Sequence, residues 1–132
     1  MCGIAGSVNR RLDIEKLTND LWHRGPDDQS TFEEKNLILH HHRLSIVDIC
    51  GGKQPMHYEH LTIIFNGDIY NHQEVRAKYG LVCQTSSDTE TILQCYFRFG
   101  PACLHDFDGM FVFIIYDRKQ DSLFIVRWFD FS

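Results

Sequence analysis

Cys2 stands out by its position, not its type. A thiol is a weak nucleophile until it is deprotonated, and a free cysteine has a pKa near ~8.5. A cysteine at a mature amino terminus carries its own base, because the α-amino group titrates at about 7.7–8.0. Removal of Met1, which the small Cys2 side chain permits, makes Cys2 a candidate nucleophile of that kind. Gly3 and Gly6 let the backbone pack closely around it. Alone, a cysteine at position 2 is far more often an ordinary residue. Its company changes the odds.

Attack on an amide needs donors for a tetrahedral oxyanion and groups that hold the charged ends of the substrate. Asn66-Gly67 follows an apolar run, so a side-chain amide and a glycine N–H can converge on one oxygen. By itself the dipeptide is also a common turn. Arg43 suits a carboxylate through two parallel hydrogen bonds, though a lone arginine is usually a surface or ion-paired one. Asp68 and Asp88 suit an ammonium group. Asp88 has a second explanation, since a carboxylate in a first helical turn complements the helix dipole.

The elements that must position these groups follow from periodicity and turn chemistry. Residues 3–8 predict a strand. Asp13 caps a helix with Ile14, Leu17 and Leu21 on one face. Residues 23–29 contain Arg24-Gly25-Pro26-Asp27-Asp28 and predict a loop. Residues 30–34 and 37–44 predict paired strands, and residues 49–60 a long loop. A strand over 61–65 ends at Asn66-Gly67-Asp68. Asn71 with Glu74, and Ser87 with Glu90, each predict a capping box. The first helix stops at Gly80 and the second runs through Phe97, with a short strand over 81–84 between them. Pro101 opens one more short helix. Strands over 110–116 and 123–126 flank a turn at 117–121. The pattern is α+β, with stacked antiparallel sheets and helices outside.

The bulk properties agree. The chain of 132 residues is 43% hydrophobic and 23% charged, with a formal net charge of -5, which fits one globular domain. No basic stripe favours nucleic acid, and no apolar run approaches the ~20 residues of a membrane span. The start lacks a signal-peptide pattern, so the expected setting is cytoplasmic. Cys50, Cys83, Cys95 and Cys103 form no C-x-x-C pair and read as reduced, partly buried thiols.

Taken in order, several segments resemble one family. They are Met1-Cys2-Gly3-Ile4-Ala5-Gly6, Arg24-Gly25-Pro26-Asp27, residues 41–48 (His-His-Arg-Leu-Ser-Ile-Val-Asp) and Gly52-Lys53-Gln54-Pro55-Met56. Phe65-Asn66-Gly67-Asp68-Ile69-Tyr70-Asn71, Ser87-Asp88-Thr89-Glu90 and Phe107-Asp108-Gly109-Met110-Phe111 follow in register. The chain is similar to the glutaminase domain of glutamine-dependent asparagine synthetases, class II amidotransferases built as amino-terminal-nucleophile hydrolases. The resemblance implies a four-layer αββα sandwich, here C-terminally incomplete, spanning residues 1–132 as one domain. It implies L-glutamine as substrate, with Cys2 forming a glutamyl thioester and Asn66 and Gly67 the oxyanion hole. Arg43 would hold the α-carboxylate, and Asp88, Asp68 and the backbone near Val47 the α-ammonium. Water would then release glutamate, and ammonia would pass to a synthetase domain or chain. No cofactor is implied, since the ATP site belongs to the synthetase domain, which these residues do not include.

The sequence also departs from the family. Asp68 stands where glutamate is common, shortening the reach by one methylene, and His40 replaces a small residue. After Ile125 the chain reads Val126-Arg127-Trp128-Phe129-Asp130-Phe131-Ser132 in place of the family's continuation. The expectation there is an exposed sheet edge that favours self-association. The rival reading is therefore an inactive remnant that acts, if at all, as a binding or regulatory protein. A metal protein is the weaker rival. His40 and His42 share a strand face with His57 and His60 nearby, but no acidic or cysteine ligand falls at useful spacing.

Overall fold

The computed structural model describes residues 3–8, 28–34, 37–43 and 53–129. Strands β1 (Gly3–Val8), β2 (Asp28–Glu34) and β3 (Leu37–Arg43) form one antiparallel sheet in the order β1-β3-β2. Strands β4 (Met56–Tyr58), β5 (Leu61–Ile69), β6 (Gly109–Asp117) and β7 (Ser122–Phe129) form a second in sequence order, also antiparallel. Helices α1 (His72–Tyr79) and α2 (Asp88–Phe99), with a 3-10 turn over Gly100–Asp106, connect β5 to β6.

Alternation along the strands divides the core. Ile64 on β5 and Tyr116 on β6 turn toward the first sheet and pack on Leu37 and Leu39, with Ile4, Phe32 and Ile114 around them. Leu61, Ile63 and Phe65, with Phe111, Phe113 and Ile115, turn the other way onto Val75, Ile92, Leu93 and Cys95 of the helices. Phe113 is fully buried, and truncating such a side chain to alanine typically costs about 3–5 kcal/mol. The described residues thus stack as sheet, sheet and helices, an α+β sandwich of the expected class. The predicted helix over 14–21 lies outside the described residues.

Several local expectations change. Asn66-Gly67 is no turn, because β5 continues in register with β6 from Leu61↔Asp117 to Ile69↔Gly109. Gly67 makes this possible. Its φ is +139°, and a Cβ there would collide with the Met110 carbonyl oxygen. The loop expected over 49–60 contains β4, paired Met56↔Ile63. No strand forms over 81–84. The Gln84 and Thr85 N–H groups donate to the Glu90 carboxylate, and the Val82 carbonyl accepts from Gln94, so side chains occupy the groups that pairing would need.

Both capping boxes are also altered. Ser87 caps α2 through the Thr89 N–H, but Glu90 reaches past it to the preceding loop. Asn71 makes no side-chain cap and instead joins the loop before β6, donating to the Asp106 carbonyl and accepting from the Asp108 N–H. Gly80 does end α1 in the left-handed region, with φ 60°. Strand β7 runs on to Phe129, opposite Met110, beyond the 123–126 span expected.

Candidate active site

The end of β5 carries Asn66, Gly67 and Asp68 in succession, and the first residue of α2, Asp88, packs against that end. The Ile69 N–H donates to Asp88 Oδ2 at 3.0 Å. Asp88 is buried, only 9% exposed, while Asp68 beside it is exposed. Burial, with the Asp68 charge adding to it, pushes the Asp88 carboxyl up to about 6 against the pull of the Ile69 N–H. Among the described residues this buried carboxylate has a like charge nearby, only backbone N–H donors and no cation.

The backbone of β5 leaves one edge open near this carboxylate. Strand β4 stops opposite Ile63, so beyond that point the edge of β5 that faces β4 has no strand partner among the described residues. In an antiparallel strand the N–H and C=O of one residue point to the same side, and the side alternates. The Phe65 N–H donates to Gln54 Oε1 at 2.5 Å and the Phe65 carbonyl accepts from His41 Nε2 at 3.2 Å, so both groups lie on that open edge. The Ile69 N–H lies on it too, held by Asp88. Period-two alternation sets the Gly67 N–H between them on the same edge. Asn66 is half-buried, and its Oδ1 is buried with no hydrogen-bond partner among the described residues. A buried amide oxygen left unsatisfied is rare in a folded chain and calls for a functional explanation.

The first sheet reaches the same end. His41 spans the two sheets through the Phe65 carbonyl, and it pairs with Ile4 of β1. Gly3 pairs with His42. Arg43 ends β3 opposite Asp28, its side chain outside the description. Cys2, which precedes Gly3, and Val47 lie outside the described residues.

Among the predicted residues, then, Asn66, Gly67, Asp68 and Asp88 converge, and the Arg43 backbone lies on the facing sheet. Sequence reasoning gives no role to Gln54 or Arg76. Arg76 donates to the Thr85 and Ser87 carbonyls and to Thr91 Oγ1, clamping the loop that delivers Asp88. The one signal for Gln54 is its place in the Gly-Lys-Gln-Pro-Met segment, where polarity before a proline says little about burial.

His40, His57 and His60 serve the fold. His40 pairs with Thr31 Oγ1, and His57 with Thr62 Oγ1. His60 sits 3.7 Å from Asp117. Among the described residues no group of His, Cys, Asp and Glu could hold a metal ion. Burial pushes the thiols of Cys95 and Cys103 up to about 11 and about 12, which makes both poor nucleophiles. No helix among the described residues is long and apolar enough to cross a membrane.

Comparison with known proteins identifies the family. The family model of the glutamine amidotransferase domain matches residues 1–128. Asparagine synthetase B [glutamine-hydrolyzing] of Escherichia coli (strain K12) is 42% identical over 96% of this chain and 25% of its own length. Asparagine synthetase [glutamine-hydrolyzing] 3 of Bacillus subtilis (strain 168) is 35% identical over 96% of the chain and 23% of its own length. A putative asparagine synthetase [glutamine-hydrolyzing] of Methanocaldococcus jannaschii is 34% identical over 96% and 30% respectively. The chain therefore spans about a quarter of the length of the curated relatives it matches. With the family model covering nearly all of it, the chain belongs to the glutamine amidotransferase domain family.

Proposed function

We propose that this domain hydrolyses the side-chain amide of L-glutamine with Cys2 as an amino-terminal nucleophile and supplies ammonia to a synthetase domain or chain that makes asparagine. The observation that carries the reading is the junction of β5 and α2. A cation-seeking Asp88 and the Gly67 N–H share one open strand edge, and β1 begins on the sheet facing it. The free Cys2 amine takes the thiol proton, and the thiolate attacks the amide carbon. The Asn66 amide and Gly67 N–H receive the oxyanion. The Cys2 amine returns that proton to the leaving nitrogen, so collapse expels ammonia and leaves a thioester, and water releases glutamate and restores the Cys2 thiol. Arg43 holds the α-carboxylate, and Asp88 and Asp68 hold the α-ammonium with the backbone near Val47. The chemistry needs no cofactor, and the proposed setting is cytoplasmic.

A second reading, a binding module without activity, draws on β7, where Ile125 is 66% and Trp128 53% exposed. One experiment separates the two. Intact mass is recorded before and after exposure to a diazoketone analogue of glutamine, for the parent and for Cys2→Ala. Glutaminase chemistry requires loss of Met1, one adduct mapped to Cys2, and neither adduct nor hydrolysis in the variant. A processed parent that takes no adduct would favour the binding module.

A further inference from the structure

We propose that Gln54 is a positioning residue that locks the oxyanion strand to the ammonium-binding helix through a single carboxamide; the inference rests on the functional reading above. Its Oε1 accepts from the Phe65 N–H, and Phe65 immediately precedes Asn66. Its Nε2 donates to Thr89 Oγ1 at 3.3 Å, and Thr89 immediately follows Asp88. The two contacts therefore adjoin the residues proposed to bind the oxyanion and the ammonium.

Burial makes the link strong. Gln54 is 7% exposed, Phe65 3% and Thr89 1%, so water does not compete for these groups. The link is also needed, because β4 ends opposite Ile63 and offers no carbonyl to the Phe65 N–H. His41 donates to the Phe65 carbonyl from the facing sheet, so two side chains stand in for the missing strand. Gln54 also bonds α2. If its carboxamide lets go, a buried N–H is left unpaired and the strand is free to shift against the helix. Displacement of about 1 Å in a positioned group can cost up to about 100-fold in rate.

The test uses Gln54→Met, which keeps volume but removes both polar ends, and Thr89→Val, which removes only the hydroxyl. Both are compared with the parent and with the double variant, well below every unfolding midpoint. Two quantities are read: the hydrogen-exchange rate of the Phe65 amide, and kcat and KM for glutamine. Gln54→Met is expected to speed Phe65 exchange and lower kcat by about tenfold while raising KM severalfold. Thr89→Val should move both the same way by less. Adding Thr89→Val to Gln54→Met should change nothing further, because both act through one carboxamide.

A purely structural Gln54 would lower the midpoint and leave kcat and KM alone, which overturns the proposal. So does a folded Thr89→Val chain with the parent's Phe65 exchange rate, and that variant remains decisive if Gln54→Met fails to fold. Should the parent neither bind nor hydrolyse glutamine, the functional reading falls by itself. Exchange at Phe65 then decides the link on its own: dependence on both Gln54 and Thr89 upholds it, and independence removes it.

Discussion

The two ends of β5 are made of similar materials and treated in opposite ways. At the Leu61 end the polar groups answer one another. Thr62 is fully buried, and its hydroxyl accepts from Arg118 and bonds His57. Arg118 donates to both Glu34 oxygens and lies over the rings of Phe32 and Tyr116. Burial and Arg118 hold His57 below its usual pKa, and its Nδ1 lies 2.8 Å from the Thr62 hydroxyl. At the Ile69 end the demands are left open. Asn66 Oδ1 has no partner among the described residues, Asp88 is a buried carboxylate near Asp68, and Gly67 holds a backbone that other residues rarely adopt. One end uses its polar groups to hold the sheets together. The other leaves them unanswered among the described residues, which stabilises little.

The sharpest break in that comparison is Asn66→Ala. Loss of an oxyanion donor is expected to lower kcat by about 100- to 1000-fold. Because Asn66 Oδ1 satisfies nothing among the described residues, the unfolding midpoint should hardly move. Steady-state kinetics and thermal unfolding on the same sample check both halves. A large fall in the midpoint would mean that Asn66 belongs to the structural kind of end.

Asp88→Asn comes next. The folded carboxyl titrates near about 6, above its ordinary 3.8, so the folded state binds the proton more tightly than the unfolded one. Stability from this group is therefore present in full below about pH 4 and is lost as pH rises through about 6. The substituted amide would carry no charge, yet its oxygen could still accept from the Ile69 N–H. The variant should be more stable than the parent by about 1–2 kcal/mol at pH 7–8, with the gain vanishing near pH 4. Glutamine affinity should fall in the same variant, since the ammonium loses its carboxylate. In the parent, KM should rise as pH falls below about 6, where Asp88 takes up its proton. Denaturant unfolding across pH, paired with KM, tests this. A variant less stable than the parent at pH 8 would contradict the cation-seeking reading of Asp88.

These open groups are legible in the sequence because they are chemical types: an amide before a glycine and a carboxylate opening a helix. The supports are not. Gln54 reads as a polar loop residue, and nothing local reveals that its partners lie at Phe65 and Thr89. Asn71 and Glu90 match the capping-box pattern by spacing, yet Asn71 bonds the distant loop at Asp106 and Asp108, and Glu90 the loop just before its helix. Residues 81–84 have the apolar look of a strand, but Glu90 and Gln94 have already taken their backbone groups. Even the Asn66-Gly67 turn signal misleads, because the strand that pairs there begins at Gly109, far along the chain. Local patterns name candidate groups and miss their partners.

The smallest effect probes the satisfied end. Glu34→Gln keeps the length of the side chain and removes the charge that faces Arg118. The pair is about one-third exposed on both sides, at 29% and 32%, so solvent screens it. The loss should be only about 0.5–1 kcal/mol, further reduced by salt. Arg118 retains Thr62 and the two rings, which keep the sheets joined. Neither kcat nor KM for glutamine should change, because this cluster sits at the opposite end of β5 from Gly67. Chemical unfolding at low and high salt, set beside the kinetics, measures both. A change in KM here would couple the two ends of the strand and make the division between them a matter of degree.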